Sequence, residues 1–127
     1  MATTPVFIAS GLTVPSVAVT AISTDRTGAG SYTTVLTGAP SIVEAIRFQA
    51  ITLTIDTTML VFLDDGANVK LIDEFRIRAA TPTNVDPGFA YLWQPPRRIY
   101  LPSGDEIQCA MYSGSATIIA HVQGGLP

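Results

Sequence analysis

The sequence predicts an all-β domain, a two-sheet sandwich of about eight strands in a jelly-roll or Greek-key arrangement. Three observations predict it. Thr, Val, Ile and Ala dominate, while good surface helix formers are scarce, with one Lys and Glu only at 44, 74 and 106. Short apolar segments recur between Gly, Pro, Asp and Asn, the punctuation of a sandwich or barrel. Long connections alternate with tight turns, which favours a jelly roll or Greek key over a plain meander.

In chain order, Met1–Thr13 is an apolar but aperiodic extended arm carrying Pro5, Val6, Phe7, Ile8 and Leu12. It either tucks under its own sandwich or lies on a neighbour. The sandwich occupies residues 14–122. Within Ser16–Ser23, Val17, Val19 and Ala21 share one face, and Thr24–Gly30 is a loop because Asp and Gly favour turn geometries. Ser31–Thr37 is a strand closed by Gly38-Ala39-Pro40. In Ser41–Thr54, Ile46, Phe48 and Ala50 alternate with Arg47 and Gln49, giving one buried and one wet face. Met59–Leu63 is apolar on both faces, which suits a central strand or one covered by a partner subunit.

Asp64-Asp65-Gly66-Ala67-Asn68 is the clearest hairpin turn. Val69–Arg78 follows, with Phe75 and Ile77 opposed to Glu74, Arg76 and Arg78. After a Pro/Thr/Asn loop, Phe89–Gln94 and Arg98–Leu101 flank Pro95-Pro96, which marks a sheet edge or corner because proline cannot donate to a ladder. Pro102–Asp105 turns the chain into Glu106–Tyr112. Ser113-Gly114-Ser115 is read as a tight hairpin into Ala116–Val122, where Ala116, Ile118, Ala120 and Val122 face away from Thr117, Ile119 and His121. Residues 123–127 read as a short flexible tail.

Composition narrows the function. Charged residues make up 13% against 47% hydrophobic, about half the usual charged share of roughly 25%. So charge-poor a surface points to a protein packed against something. The formal net charge of −3 argues against nucleic-acid binding, which needs clustered Lys and Arg. No basic leader precedes the first apolar stretch, so no secretory signal is expected, and no apolar run reaches the ~20 residues of a membrane-spanning helix. These features fit a protein made and assembled in cytosol.

Residues able to carry chemistry are few. His121 is the sole histidine and Cys109 the sole cysteine, so no multi-His or multi-Cys metal centre is available and a Ser–His–Asp or Cys–His mechanism would have to use His121. A sheet-face histidine and a small core cysteine are the expected roles. The pairs Asp64-Asp65, Asp73-Glu74 and Asp105-Glu106 are read as solvated turn charges, since adjacent strand carboxylates point to opposite faces and cannot form a glycosidase dyad. No catalytic, cofactor or metal residue is expected. Trp93, with Phe89, Tyr91 and Tyr100 beside Pro95-Pro96-Arg97-Arg98, admits three readings: core packing, a protein interface, or stacking on a sugar.

Several stretches taken together resemble small virion proteins of tailed bacteriophages. They are Ile22–Gly28, the Ser/Thr-rich strand ending Thr37-Gly38-Ala39, Val43–Ala50 with Ile46-Arg47-Phe48, Val61–Gly66, Leu71–Phe75, Trp93-Gln94-Pro95-Pro96 and Leu101–Gly104, spanning roughly residues 20–105. The chain departs from that pattern at Asp64-Asp65 and in its more apolar Met1–Thr13. The resemblance implies a jelly-roll capsid decoration (cement) protein. Such a protein has no enzymatic activity or cofactor, is a homotrimer on the outer surface of the head, and binds the major capsid protein underneath. Pro5, Phe7, Ile8, Leu12, Trp93, Arg97 and Arg98 are the interface candidates. Two alternatives are a tail, head-fibre or receptor-binding knob with a glycan- or host-binding role, and a cytosolic hydrolase or lyase dependent on His121.

Overall fold

A computed structural model describes residues 10–11, 16–38 and 40–126. Among them are ten strands and no helix: β1 (Ser10–Gly11), β2 (Val17–Val19), β3 (Thr33–Thr37), β4 (Ser41–Ala50), β5 (Thr57–Asp64), β6 (Val69–Ile77), β7 (Ala90–Trp93), β8 (Ile99–Leu101), β9 (Glu106–Met111) and β10 (Ile118–Leu126). They form two antiparallel sheets. The larger has the order β1-β10-β4-β7, with β2 also beside β10 and β8 also beside β4, and the smaller has the order β3-β9-β5-β6.

The pairing is nested. β5 pairs with β6, β4 with β7 and β8, β3 with β9, and β2 with β10. The chain is thus one long antiparallel ribbon folded over so that successive strand pairs fall on alternate sheets, which is a jelly roll. Only β5–β6 is a true hairpin. Its turn is built by Asp65, whose Oδ1 accepts from the Ala67 and Asn68 amides; these two bonds hold the carboxyl below its ordinary pKa. The connection from β3 to β4 and the turns at 102–105 and 113–115 are crossovers between sheets. The expected tight hairpin at Ser113–Ser115 is therefore corrected, because β9 and β10 lie in different sheets.

Between the sheets lies a single core that includes Val43, Ile46, Phe48, Met59, Val61, Phe75, Ile107, Cys109, Met111, Ile118 and Ala120. Period-2 alternation explains which residues enter it: Ile46, Phe48 and Ala50 point in while Arg47 and Gln49 stay exposed. β5 is the central strand expected from its two-sided apolarity. Its second face is covered by the chain itself, not by a partner. Tyr32 stacks on Phe62 with ring centroids 3.9 Å apart, and Arg26 reaches from above the Tyr112 ring to Glu74, 2.7 Å away. Leu60, on the same strand, lies in register between Ala110 and Glu74 and is fully buried. The loop can press this closely because of Gly28, where a Cβ would sit 2.1 Å from the Val69 carbonyl oxygen.

Residues Gln123–Leu126, expected as a tail, continue β10 instead and pair with β4 and β1. The ladder shifts register between Gln123 and Gly124. At Gly124 the two strands pass so close that a Cβ would lie 1.9 Å from the Ile42 carbonyl oxygen. A glycine pair that resembles a flexible linker in the sequence here permits a β-bulge.

Candidate interaction site

Several of the residues able to carry chemistry have structural partners. Cys109 is fully buried, and desolvation pushes its thiol pKa far up, away from the thiolate. Asp73 and Glu74 diverge to opposite faces: Asp73 accepts from Trp93 while Glu74 pairs with Arg26. Asp64 and Glu106 face each other across the β5–β9 ladder. Each is engaged locally, Asp64 by the Gly66 amide and Glu106 by Thr34 Oγ1 and Gln108 Nε2. No group of three or more His, Cys, Asp or Glu side chains converges among the described residues.

His121 stands on the outer face of the larger sheet, opposite Arg47 in the ladder. Its Nδ1 and the Ser16 hydroxyl are hydrogen-bonded at 2.6 Å, with the donor set by the ring's tautomer. No carboxylate orients this ring among the hydrogen bonds of the described residues. His121→Ala is expected to lower stability by about 1 kcal/mol or less, the scale of one exposed hydrogen bond. Thermal unfolding of the variant measures it.

Trp93 is corrected from an interface anchor to a core residue. It is 2% exposed, and its Nε1 donates to Asp73 Oδ2 at 2.7 Å, tying β7 of one sheet to β6 of the other. Phe75 continues this seam, with Tyr91 stacked on it at 4.2 Å and Phe48 tilted against it at 5.1 Å. Beside Trp93 the seam opens into a cleft of about 420 Å³ walled by Leu63, Ile72, Pro95, Pro96 and Ile99, with Arg97 on its rim. Ile72 reaches it because a register shift between β5 and β6 leaves this residue unpaired: Val61 faces Asp73 and Phe62 faces Leu71. Arg97 is exposed, and Arg98 lies 3.8 Å from Glu44. Pro5, Phe7, Ile8 and Leu12 lie outside the described residues.

The opposite end of the barrel carries a feature that sequence reasoning missed. β4 ends at Ala50 rather than continuing to Thr54, and in the next segment only Thr54 is buried. Thr54 is buried, its hydroxyl donating to the Arg78 carbonyl at 2.7 Å while its backbone pairs with Ala80. Thr52 Oγ1 accepts from the Thr117 amide, and the Ile51 amide donates to the Thr117 carbonyl. The aliphatic residues between the threonines point outward, with Ile51, Leu53 and Ile55 exposed by 61%, 58% and 50%. Asp56 closes the segment, accepting from the Ala79 amide. The available signal was the alternation Ile-Thr-Leu-Thr-Ile, but periodicity alone does not say which phase faces inward.

Comparison of the chain with protein-family models, with curated proteins and with solved structures returned no match.

Proposed function

We propose that this chain is a non-enzymatic virion structural protein. In this reading it is a capsid decoration protein of the tailed-bacteriophage type, made in the host cytoplasm and assembled as a homotrimer on the outer surface of the head. The observation that carries the reading is the ridge of Ile51, Leu53 and Ile55. A segment with free choice of phase would bury its aliphatics and expose its threonines, since burying an Ile or Leu side chain is worth about 1.5–3 kcal/mol. Here hydrogen bonds from Thr54 to the Arg78 carbonyl and from the Thr117 amide to Thr52 hold all three aliphatics outward, with Thr54 alone buried. Rigidly presented apolar surface is the mark of a subunit completed by contact with another molecule. The low charge and the likeness of residues 20–105 to phage virion proteins point the same way. The buried Trp93 weakens the sugar-binding knob reading, which relied on an exposed indole.

Association with heads tests the proposal. Purified chain, mixed with heads assembled from the major capsid protein of a phage encoding it, is expected to sediment with them in near-stoichiometric amount. A chain left wholly in the supernatant would overturn the proposal, as would a virion whose mass-spectrometric inventory lacks it.

A further inference from the structure

β6 and β7 are edge strands of different sheets, and the seam between them opens beyond the Phe75–Tyr91 stack, away from Trp93. The opening is a cleft of about 410 Å³ lined by Phe75, Arg76, Arg78, Phe89, Ala90 and Tyr91. That volume falls within the roughly 300–1,000 Å³ of small-molecule sites.

The cleft has aromatic walls. Tyr91 stands opposite Phe48 in the β4–β7 ladder, so both rings face the interior. Phe48 is sealed, whereas Tyr91 is 41% exposed and its hydroxyl makes no hydrogen bond among the described residues. A ring that points inward and yet meets solvent marks a gap in the seam. Stacking on Phe75 at 4.2 Å, 20° from parallel, holds it there. Both walls are also tied down through the backbone. The Arg78 carbonyl accepts from the Thr54 hydroxyl at 2.7 Å, and the Phe89 carbonyl accepts from the Ala50 amide at 2.8 Å. A cleft held from both sides does not have to be organised by its ligand.

The charge lining the cleft has one sign. Arg76 and Arg78 line it, and no carboxylate does. Asp56 reaches this pair from the β5 side, accepting from the Ala79 amide and lying 3.6 Å from Arg76. Arg78 makes no ion pair among the described residues. Two guanidiniums against one carboxylate leave one positive charge unmatched, beside a free phenol donor.

We propose that this cleft binds a small monoanion, a carboxylate carried on a six-membered ring with a flat apolar face. The ring lies against Tyr91 and Phe89, the carboxylate takes the planar fork of Arg78, and the Tyr91 hydroxyl donates to the ligand's edge. A phosphate monoester brings close to two negative charges at neutral pH, one more than the cleft can match. The site is separate from the aliphatic ridge, so the inference does not rest on the virion reading.

Titration of the full chain, followed through its amide shifts by two-dimensional NMR, tests the proposal. The probes are benzoate and glucuronate, their neutral counterparts benzyl alcohol and glucose, and benzylammonium. At least one carboxylate is expected to shift the amides of Arg78, Phe89, Ala90 and Tyr91 saturably, and the tighter of the two tells whether the ring is aromatic or a sugar. Its neutral counterpart should bind roughly tenfold more weakly, and benzylammonium more weakly still. Arg78→Gln should cost the carboxylate roughly tenfold and erase its advantage over the neutral probe. The fold uses the Arg78 carbonyl rather than its side chain, so this variant stays folded. Tyr91→Phe keeps the stack, removes the hydroxyl and should cost roughly threefold.

The proposal is overturned if neither carboxylate gives a saturable shift, or if the shifted amides lie away from the cleft. It is equally overturned if benzylammonium binds as tightly as the carboxylates, or if Arg78→Gln leaves their affinity unchanged.

Discussion

Phe48→Ala is expected to lower the unfolding free energy by about 3–5 kcal/mol, the range for deleting a fully buried aromatic ring. Phe48 has no exposed surface and stands at the centre of the larger sheet's inner face, paired to Ala120 on one side and Tyr91 on the other. Its ring supports Phe75, which in turn supports Tyr91. The cavity would therefore undermine the seam between the sheets as well as the core. Against a total stability of roughly 5–15 kcal/mol, this is a third or more of what holds the domain. Denaturant unfolding measures it, and Leu53→Ala is the control: an equally apolar but exposed side chain should cost no more than about 0.5 kcal/mol in the monomer.

Gly124→Ala should be nearly as damaging although it adds only one methyl. The new Cβ would lie 1.9 Å from the Ile42 carbonyl oxygen and 3.2 Å from the Val43 Cα, both backbone atoms with no rotamer to yield. Relief requires β10 to move away from β4, which sacrifices the ladder bonds that bring β1 and the end of β10 onto the sheet. A loss of about 3 kcal/mol or more is expected, seen as a fall in Tm of about 10 °C. If the variant unfolds at the unmodified temperature, the bulge at Gln123–Gly124 is not the fixed point described.

Most of the fold was legible because one-sided strands declare themselves. Ile46, Phe48 and Ala50 on β4 and Phe75 and Ile77 on β6 alternate with polar residues, and each set is buried as its period demands. The hairpin at Asp64–Asn68 was equally plain, since Asp and Gly there have a turn geometry to satisfy. What local pattern could not supply was the partner of each strand. Ser113-Gly114-Ser115 looks the same whether it turns a hairpin or carries the chain between sheets. Met59–Leu63 looks the same whether its second face meets a neighbour or its own loop. The ridge escaped for a related reason. Ile51–Ile55 alternates cleanly in sequence, but the hydrogen bonds that bury Thr54 and fix Thr52 come from Arg78 and Thr117, far along the chain. Trp93 was ambiguous until Asp73 supplied the acceptor that an indole needs in order to be buried.

The nested pairing also governs how the molecule comes into being. β10 lies between β2 and β4, and it is synthesised after both. Until it leaves the ribosome, β2 lacks its ladder neighbour and β4 lacks its most extensive one. Almost every pairing except β5–β6 spans a long stretch of chain, which places folding in the slow, millisecond-to-second range of high-contact-order proteins. The β5–β6 hairpin can form early, but the aliphatic strands around it must wait as unpaired edges at translation speeds of about 5–20 residues per second. During that interval the nascent chain is the species most exposed to aggregation, so expression yield should depend on temperature and chaperones more steeply than the stability of the finished domain would suggest.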